Sequence, residues 1–311
     1  MADGEARPAI SVVIASWSGE VALRRCLESV LPQTNGADVI VISRDILNAA
    51  VLHDDRFRNV RFVRASADAN VFQLRSLGVR ETRGASIALI EDHSVVCPGW
   101  FQALAGAQVA GLMICGGPID NDPESNAYDW ALYFAEYVRF MPPMQKGKAV
   151  ILSGANILYD RAALWSCRSI WESCFYETDV NSLLVKAGYK LQMLPNALVT
   201  SRLRMRFTDA MRHLFHGGIH FGNFRTSQCQ SFRKWLWVFV SPALPVVMLM
   251  RIVALTGARC PDRLFQLVRA LPYLLLLLCA WSLGEATGYL RNIRRQDVPT
   301  QALKDRHADR N

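Results

Sequence analysis

Over the first hundred residues, short β-branched runs alternate with amphipathic helical stretches, and no other feature restricts the fold as much. Ile10–Ala15, Val39–Ile42, Val60–Val63 and Ser86–Ile90 read as strands. Between them lie two helical patterns. Ser18–Leu31 carries an apolar stripe of Val21, Leu23, Leu27, Val30 and Leu31 and stops at Pro32, and Gln73–Arg83 is closed by Gly84. Strands alternating with helices at this spacing predict a doubly wound, mainly parallel α/β sheet. Ligands of such sheets bind beyond the carboxyl ends of the strands. Ser16-Trp17-Ser18 and Glu91-Asp92-His93 both lie there.

The second of these sites carries the most chemistry. In 87–93, an apolar strand runs straight into two carboxylates and an imidazole. Side chains alternate along a strand, so Glu91 and His93 can share a face that Asp92 does not. A loop at this point would let all three converge on one ion. Carboxylate and imidazole suit Mn²⁺ or Mg²⁺ holding the phosphates of a nucleotide. The plainer reading is a solvated acidic turn after a core strand. Pro98-Gly99-Trp100 marks the turn before the next helix.

Further along, Leu112–Cys115 reads as a strand and Asn126–Phe140 as an aromatic-rich helix stopped by Pro142-Pro143. Val150–Tyr159 reads as a strand, Glu177–Gly188 as a helix, and Tyr189–Leu194 as a last strand. The 311 residues leave room for one large domain and an appendage. Residues 1–201 hold 18 Lys/Arg and 21 Asp/Glu, a net of −3, whereas 202–311 hold 17 and 6, a net of +11. The basic residues of the back half flank apolar runs. That pattern suits an anionic membrane face and argues against nucleic acid. Domains are therefore expected at 1–230, catalytic and cytoplasmic, and at 231–311, membrane-associated with a basic tail. Hydrophobic segments are expected at about 235–256 and 264–290. A membrane hairpin, in-plane or re-entrant helices, and a buried helical subdomain all remain open. Trp235, Trp237, Tyr273, Trp281 and Tyr289 are candidate interface anchors, and Arg251 and Glu285 sit where long side chains can snorkel. The eight cysteines form no CxxC pair, which argues against a zinc module and a disulfide framework, and most read as small core hydrophobes. No apolar targeting segment opens the sequence, so the front domain is expected in the cytoplasm, at the inner face of the cell membrane.

Taken in order, the pieces resemble family-2 glycosyltransferases of the GT-A fold, in particular bacterial membrane-associated ones. The first-strand ending and following helix match Ala15-Ser16-Trp17-Ser18 and Leu23-Arg24-Arg25-Cys26-Leu27-Glu28-Ser29-Val30. The Ala-Arg-Asn-x-Gly element appears as Leu74-Arg75-Ser76-Leu77-Gly78, and Asp-x-Asp as Glu91-Asp92-His93. Gly-x-Asn appears as Gly154-Ala155-Asn156, and the acidic acceptor-side motif as Glu177-Thr178-Asp179 before Ala187-Gly188-Tyr189. The resemblance covers roughly residues 9–225 and implies an inverting, metal-dependent transfer of one sugar. The donor would be a nucleoside-diphosphate sugar and the acceptor a membrane-proximal, lipid-linked glycan.

The resemblance also implies roles. Ala15, Ser16, Trp17, Asp45, Arg75 and Asp92 would meet the nucleotide, with Trp17 stacking on the base and Arg75 facing the diphosphate. A core tryptophan and a solvated helix face are the bland counterparts of those two. Glu91, Asp92 and His93 would hold Mn²⁺ or Mg²⁺. Glu177 would be the base, with Asp179 as the fallback; the plainer reading is an N-terminal capping acid, which fits Asp179 better than Glu177. Asn156, His216 and Arg225 would serve the acceptor side or a loop closing over the diphosphate. His213, His216 and His220 have helical spacing, but Gly217-Gly218 favours a flexible loop there. The chain departs from the pattern at Ser43-Arg44-Asp45, where only Asp45 is acidic, and at His93. These departures motivate a competing reading, a non-catalytic nucleotide-sugar-binding or assembly subunit. A nucleotidyltransferase ranks third, since Ser16-Trp17-Ser18-Gly19 is no Gly-rich phosphate loop.

Overall fold

The structure is a computed structural model, and it describes residues 9–45, 47, 49–52, 54–227 and 231–297. The chain divides into two compact units. One holds the described residues up to Ser125 together with Arg139–Arg204; the other holds Asn126–Val138 together with the described residues from Met205 onward.

The first unit begins with β1 (Ile10–Ser16), α1 (Glu20–Val30), β2 (Asp38–Ser43), α2 (Ala49–Leu52), β3 (Val60–Arg64), α3 (Val71–Glu81) and β4 (Ser86–Glu91). These strands pair in parallel in the order β3-β2-β1-β4. Every residue of β1 and β4 is buried, as expected of strands covered on both faces. The order reverses at β1, whose neighbours are β2 on one side and β4 on the other. Their carboxyl ends are aligned, with Ala15 opposite Glu91. This is the crevice where open α/β sheets bind ligands. Helix α3 reaches the sheet closely at Gly78, where an added Cβ would strike Val13 and Ile42.

The chain continues through β5 (Ser94–Val96), α4 (Trp100–Val109), β6 (Ile114–Gly116) and β7 (Ile119–Asn121), then leaves for the second unit as α5 (Ala127–Tyr137). It returns as β8 (Gly147–Lys148), β9 (Asn156–Asp160), α6 (Arg161–Trp165), α7 (Arg168–Trp171), α8 (Glu177–Lys186), β10 (Leu191–Met193) and β11 (Val199–Ser201). The large sheet is completed as β4-β9-β6-β10-β8, with β9 antiparallel to both of its neighbours. Strands β5, β11 and β7 form a small second sheet. Two expectations shift here. The strand anticipated from Val150 begins only at Asn156, because Ser153 turns the chain by bonding Ala155 N and Asn156 N. The buried stripe of α1 is Leu23, Cys26, Leu27 and Val30; Val21 lies on the outer face and is exposed.

The second unit comprises α5, α9 (Phe207–Ser227), α10 (Ser231–Val240), α11 (Leu244–Arg259) and α12 (Leu264–Asp297). The flexible loop expected at 213–225 is in fact the body of a 21-residue helix. Tertiary packing overrides the weak helix propensity of glycine here. Gly218 and Gly222 on α9 face Trp281 and Glu285 on α12, while Gly284 and Gly288 on α12 face Phe215 and Ile219 on α9. Each glycine lets the opposing backbone approach as closely as in a small-xxx-small helix pair. Pro272 lies inside α12 without ending it. Pro242 and Pro245, by contrast, mark the break between α10 and α11. The segments Leu236–Arg259 and Pro261–Arg291 are long and apolar enough to cross a membrane.

Candidate active site

The site is built where β1 and β4 end. Asp92, fully buried, follows β4, and its backbone N–H donates to Ala15 O (3.1 Å). Its side chain turns toward the β1–α1 loop, where Oδ2 accepts from Ser16 Oγ (3.1 Å), Trp17 N (2.8 Å) and Ser18 N (2.7 Å). A single carboxylate oxygen thus fixes the loop that carries Trp17. The other oxygen, Oδ1, is buried without a hydrogen-bond partner. Trp17 packs against the core of the sheet and meets the His93 ring edge-on, with centroids 5.8 Å apart.

Glu91 and His93 share a side, as strand alternation predicts: His93 Nε2 lies 3.4 Å from Glu91 Oε2. Glu91 also pairs with Arg75 of α3, whose Nη2 donates to Glu91 Oε1. Arg75 Nη1 donates to Glu177 Oε2 at 2.9 Å, in the first turn of α8. One buried guanidinium therefore joins the end of β4 to the start of α8. Gly154 makes room for this bridge, since an added Cβ would lie 2.6 Å from Arg75 Nη1 and 3.1 Å from Glu177 Cδ. Taking one member from such a buried cluster would strand a charge, at about 3–5 kcal/mol.

Several sequence expectations change at this point. Arg75 is not on a solvated helix face; it is buried between two carboxylates. Glu177 and Asp179 lie in the first turn of α8, but the N-cap is Tyr176, so neither is the cap. Ala15 turns its side chain into the core, and only its carbonyl serves the site. Ser16 supports Asp92. Asp45 lies beyond β2, about half exposed, with its N–H bonded to Ser43 Oγ (3.2 Å). Asn156, expected at the acceptor, is fully buried. It accepts from Trp100 Nε1 (3.0 Å) and donates to Pro118 O (3.1 Å) and Ala197 O (2.7 Å), so it ties together three distant segments.

His216 and Arg225 belong to α9 of the second unit. Arg225 pairs with Glu285 (2.9 Å), bonds Tyr289 OH (3.0 Å), and lies over the rings of Phe221 and Trp237. It neutralises a buried carboxylate, and Glu285 is not a snorkelling end residue. Sequence reasoning missed Arg202. Its N–H donates to His93 O (2.8 Å) and its guanidinium lies 3.3 Å from buried Asp122. Arg202 follows β11, a strand not read from the sequence, so no local signal marked it.

Among the described residues no three His, Cys, Asp or Glu side chains are gathered to hold a metal by themselves. Magnesium-like ions bound with nucleotides commonly take one or two protein ligands and complete their shell with phosphates and water. Asp92 Oδ1, buried without a hydrogen-bond partner and 3.8 Å from His93 Nδ1, fits that smaller demand, whereas Glu91 is committed to Arg75.

Residues 11–168 match the sequence profile of Glycosyl transferase family 2. Among solved structures, the chain is similar to mannosyltransferase PcManGT from Pyrobaculum calidifontis in complex with GDP-Man and Mn²⁺. Identity is 12% and TM-score 0.56, over 94% of this chain and 89% of that one. S. aureus TarS 1-349 is similar at 10% identity and TM-score 0.49, over 94% and 93% of the two chains. Comparison with curated proteins gave no match. At 12% identity the likeness to PcManGT speaks for the fold alone, which is GT-A-like.

Proposed function

Because the chain belongs to glycosyl transferase family 2, we propose that it moves a single sugar from a nucleoside-diphosphate sugar to a lipid-linked, membrane-proximal acceptor, with inversion at the anomeric carbon. The observation that supports this reading is the bridge from Glu91 through Arg75 to Glu177, which links a carboxylate to the carboxyl end of β4. Glu177 accepts the proton of the acceptor hydroxyl as the oxygen attacks, and the nucleoside diphosphate leaves from the opposite face. Asp179, two residues on, is the alternative base.

Trp17 offers an aromatic face to the nucleobase, held by the Asp92 bonds to its loop. Asp45 is the acid available to the ribose or base. A divalent ion, Mn²⁺ or Mg²⁺, held by Asp92 Oδ1 and His93, would neutralise the leaving diphosphate. In support, PcManGT is described with GDP-Man and Mn²⁺. The two long apolar segments of the second unit support attachment at the cytoplasmic face of the membrane, beside lipid-borne acceptors.

The test is a thermal-shift series with UDP, GDP and dTDP, with and without Mn²⁺, followed by donor turnover. One nucleotide should raise the melting temperature in a metal-dependent way, and Asp92→Ala should remove both the shift and turnover. Glu177→Gln should keep the shift and lower transfer by at least about 10²-fold. Nucleotide binding with no turnover on any sugar donor would instead favour an assembly subunit.

A further inference from the structure

We infer that Arg75 is the positioning residue for the base, holding Glu177 in place, and that it does not bind the donor diphosphate. The inference rests on the reading of Glu177 as base. Arg75 is 4% exposed, and both terminal nitrogens of its guanidinium are bonded to carboxylates, Nη1 to Glu177 and Nη2 to Glu91. A phosphate could engage this fork only by displacing charge-assisted hydrogen bonds, which are the stronger kind.

The surroundings are built around the same pairing. Helix α3 is tied to the segment before α8 by Ser76 Oγ donating to Glu172 O (2.6 Å) and by Phe175 N donating to Phe72 O (2.9 Å). Phe72 stacks against Tyr176, ring centroids 4.0 Å apart, and the Arg75 guanidinium lies 5.6 Å from the Phe72 ring. Behind the ion pair stands Gly154, where a single methyl would press on both partners. With one oxygen bonded to a fixed guanidinium, the carboxyl plane of Glu177 is set before an acceptor arrives. Misplacing a reacting group by about 1 Å can cost about 10²-fold in rate.

Arg75→Lys and Gly154→Ala test this from opposite sides. The first keeps the charge but loses the fork; the second keeps every charge and displaces the pair. Measurements are kcat and KM for the donor, plus titration with whichever of UDP, GDP or dTDP stabilises the protein. Both variants should lower kcat by about 10²-fold, while the dissociation constant of the nucleotide changes less than about twofold. Should Arg75→Lys fail to fold, Gly154→Ala carries the test alone. A loss of nucleotide affinity of tenfold or more with kcat retained would overturn the inference, as would wild-type kcat in both variants. Glu177→Gln separates the premises: unimpaired transfer there refutes the base assignment itself, whereas loss there with intact kcat in the other two variants refutes only the positioning role.

Discussion

Asn156 illustrates how a residue can be legible in sequence and still be given the wrong task. The likeness of Gly154-Ala155-Asn156 to the family's Gly-x-Asn marked it for the acceptor side, yet its side-chain bonds run to Trp100, Pro118 and Ala197. Those partners lie up to 56 positions away, and no local pattern reveals them. Asn156→Ala leaves an indole N–H and two carbonyls unsatisfied in the interior. Stability should fall by roughly 3 kcal/mol, measured by urea denaturation, well beyond any loss expected of an acceptor contact. Glu91 and His93 were better served by local reasoning, because strand alternation alone puts them on one side. What alternation could not supply was Arg75, which reaches Glu91 from α3. Among the described cysteines, Cys26, Cys115 and Cys167 are the core hydrophobes that composition suggested, whereas Cys97, Cys174 and Cys260 are half-buried and Cys279 is exposed. Burial pushes Cys115 up to about 12 and Cys167 up to about 11, so neither should react with thiol reagents in the native protein at pH 8.

At the scale of elements, the parallel strands were readable because each is a buried β-branched run. The helix α9 was not, because its glycines look like breakers until α12 lies against them. Gly222→Leu should force the α9–α12 pair apart and destabilise the unit by about 1–3 kcal/mol, seen as a lower melting temperature of the purified chain. Strand β2 supplies a pH-dependent counterpart. Asp38, at its start, accepts from Arg61 (2.9 and 3.1 Å) and Ser11 (2.8 Å). Burial pushes its carboxyl up, but the Arg61 and Ser11 bonds outweigh this and hold it below the usual carboxylate range. Its folded value is thus the lower one. The stabilisation is complete above the unfolded value near pH 4 and is lost as pH falls through the folded value. Asp38→Asn should cost about 1 kcal/mol at pH 7, and its deficit should shrink as both proteins are acidified below about pH 4.

For the whole molecule, composition set the expected boundary near residue 230, where uncharged runs begin. The units divide instead at Arg204–Met205, and the second also takes in α5. This could not be read locally, since α5 has the same aromatic amphipathic look as a helix that covers a sheet. Its Trp130, Leu132, Phe134 and Tyr137 are buried within a unit otherwise formed after residue 204. On α11 and α12, Val246, Met250, Phe265, Val268, Leu276 and Leu283 are exposed in the chain alone. Apolar surface of this kind needs a lipid or protein cover. Full-length protein should therefore float with phospholipid vesicles in a density gradient and stay soluble without them only in detergent. Removing 205–311 would delete this surface and yet uncover α5, which loses α9 and α12 at once. The shortened chain should then sediment as aggregate after lysis, despite an intact sheet. A soluble, monomeric 1–204 fragment on gel filtration would mean that α5 belongs with the sheet after all.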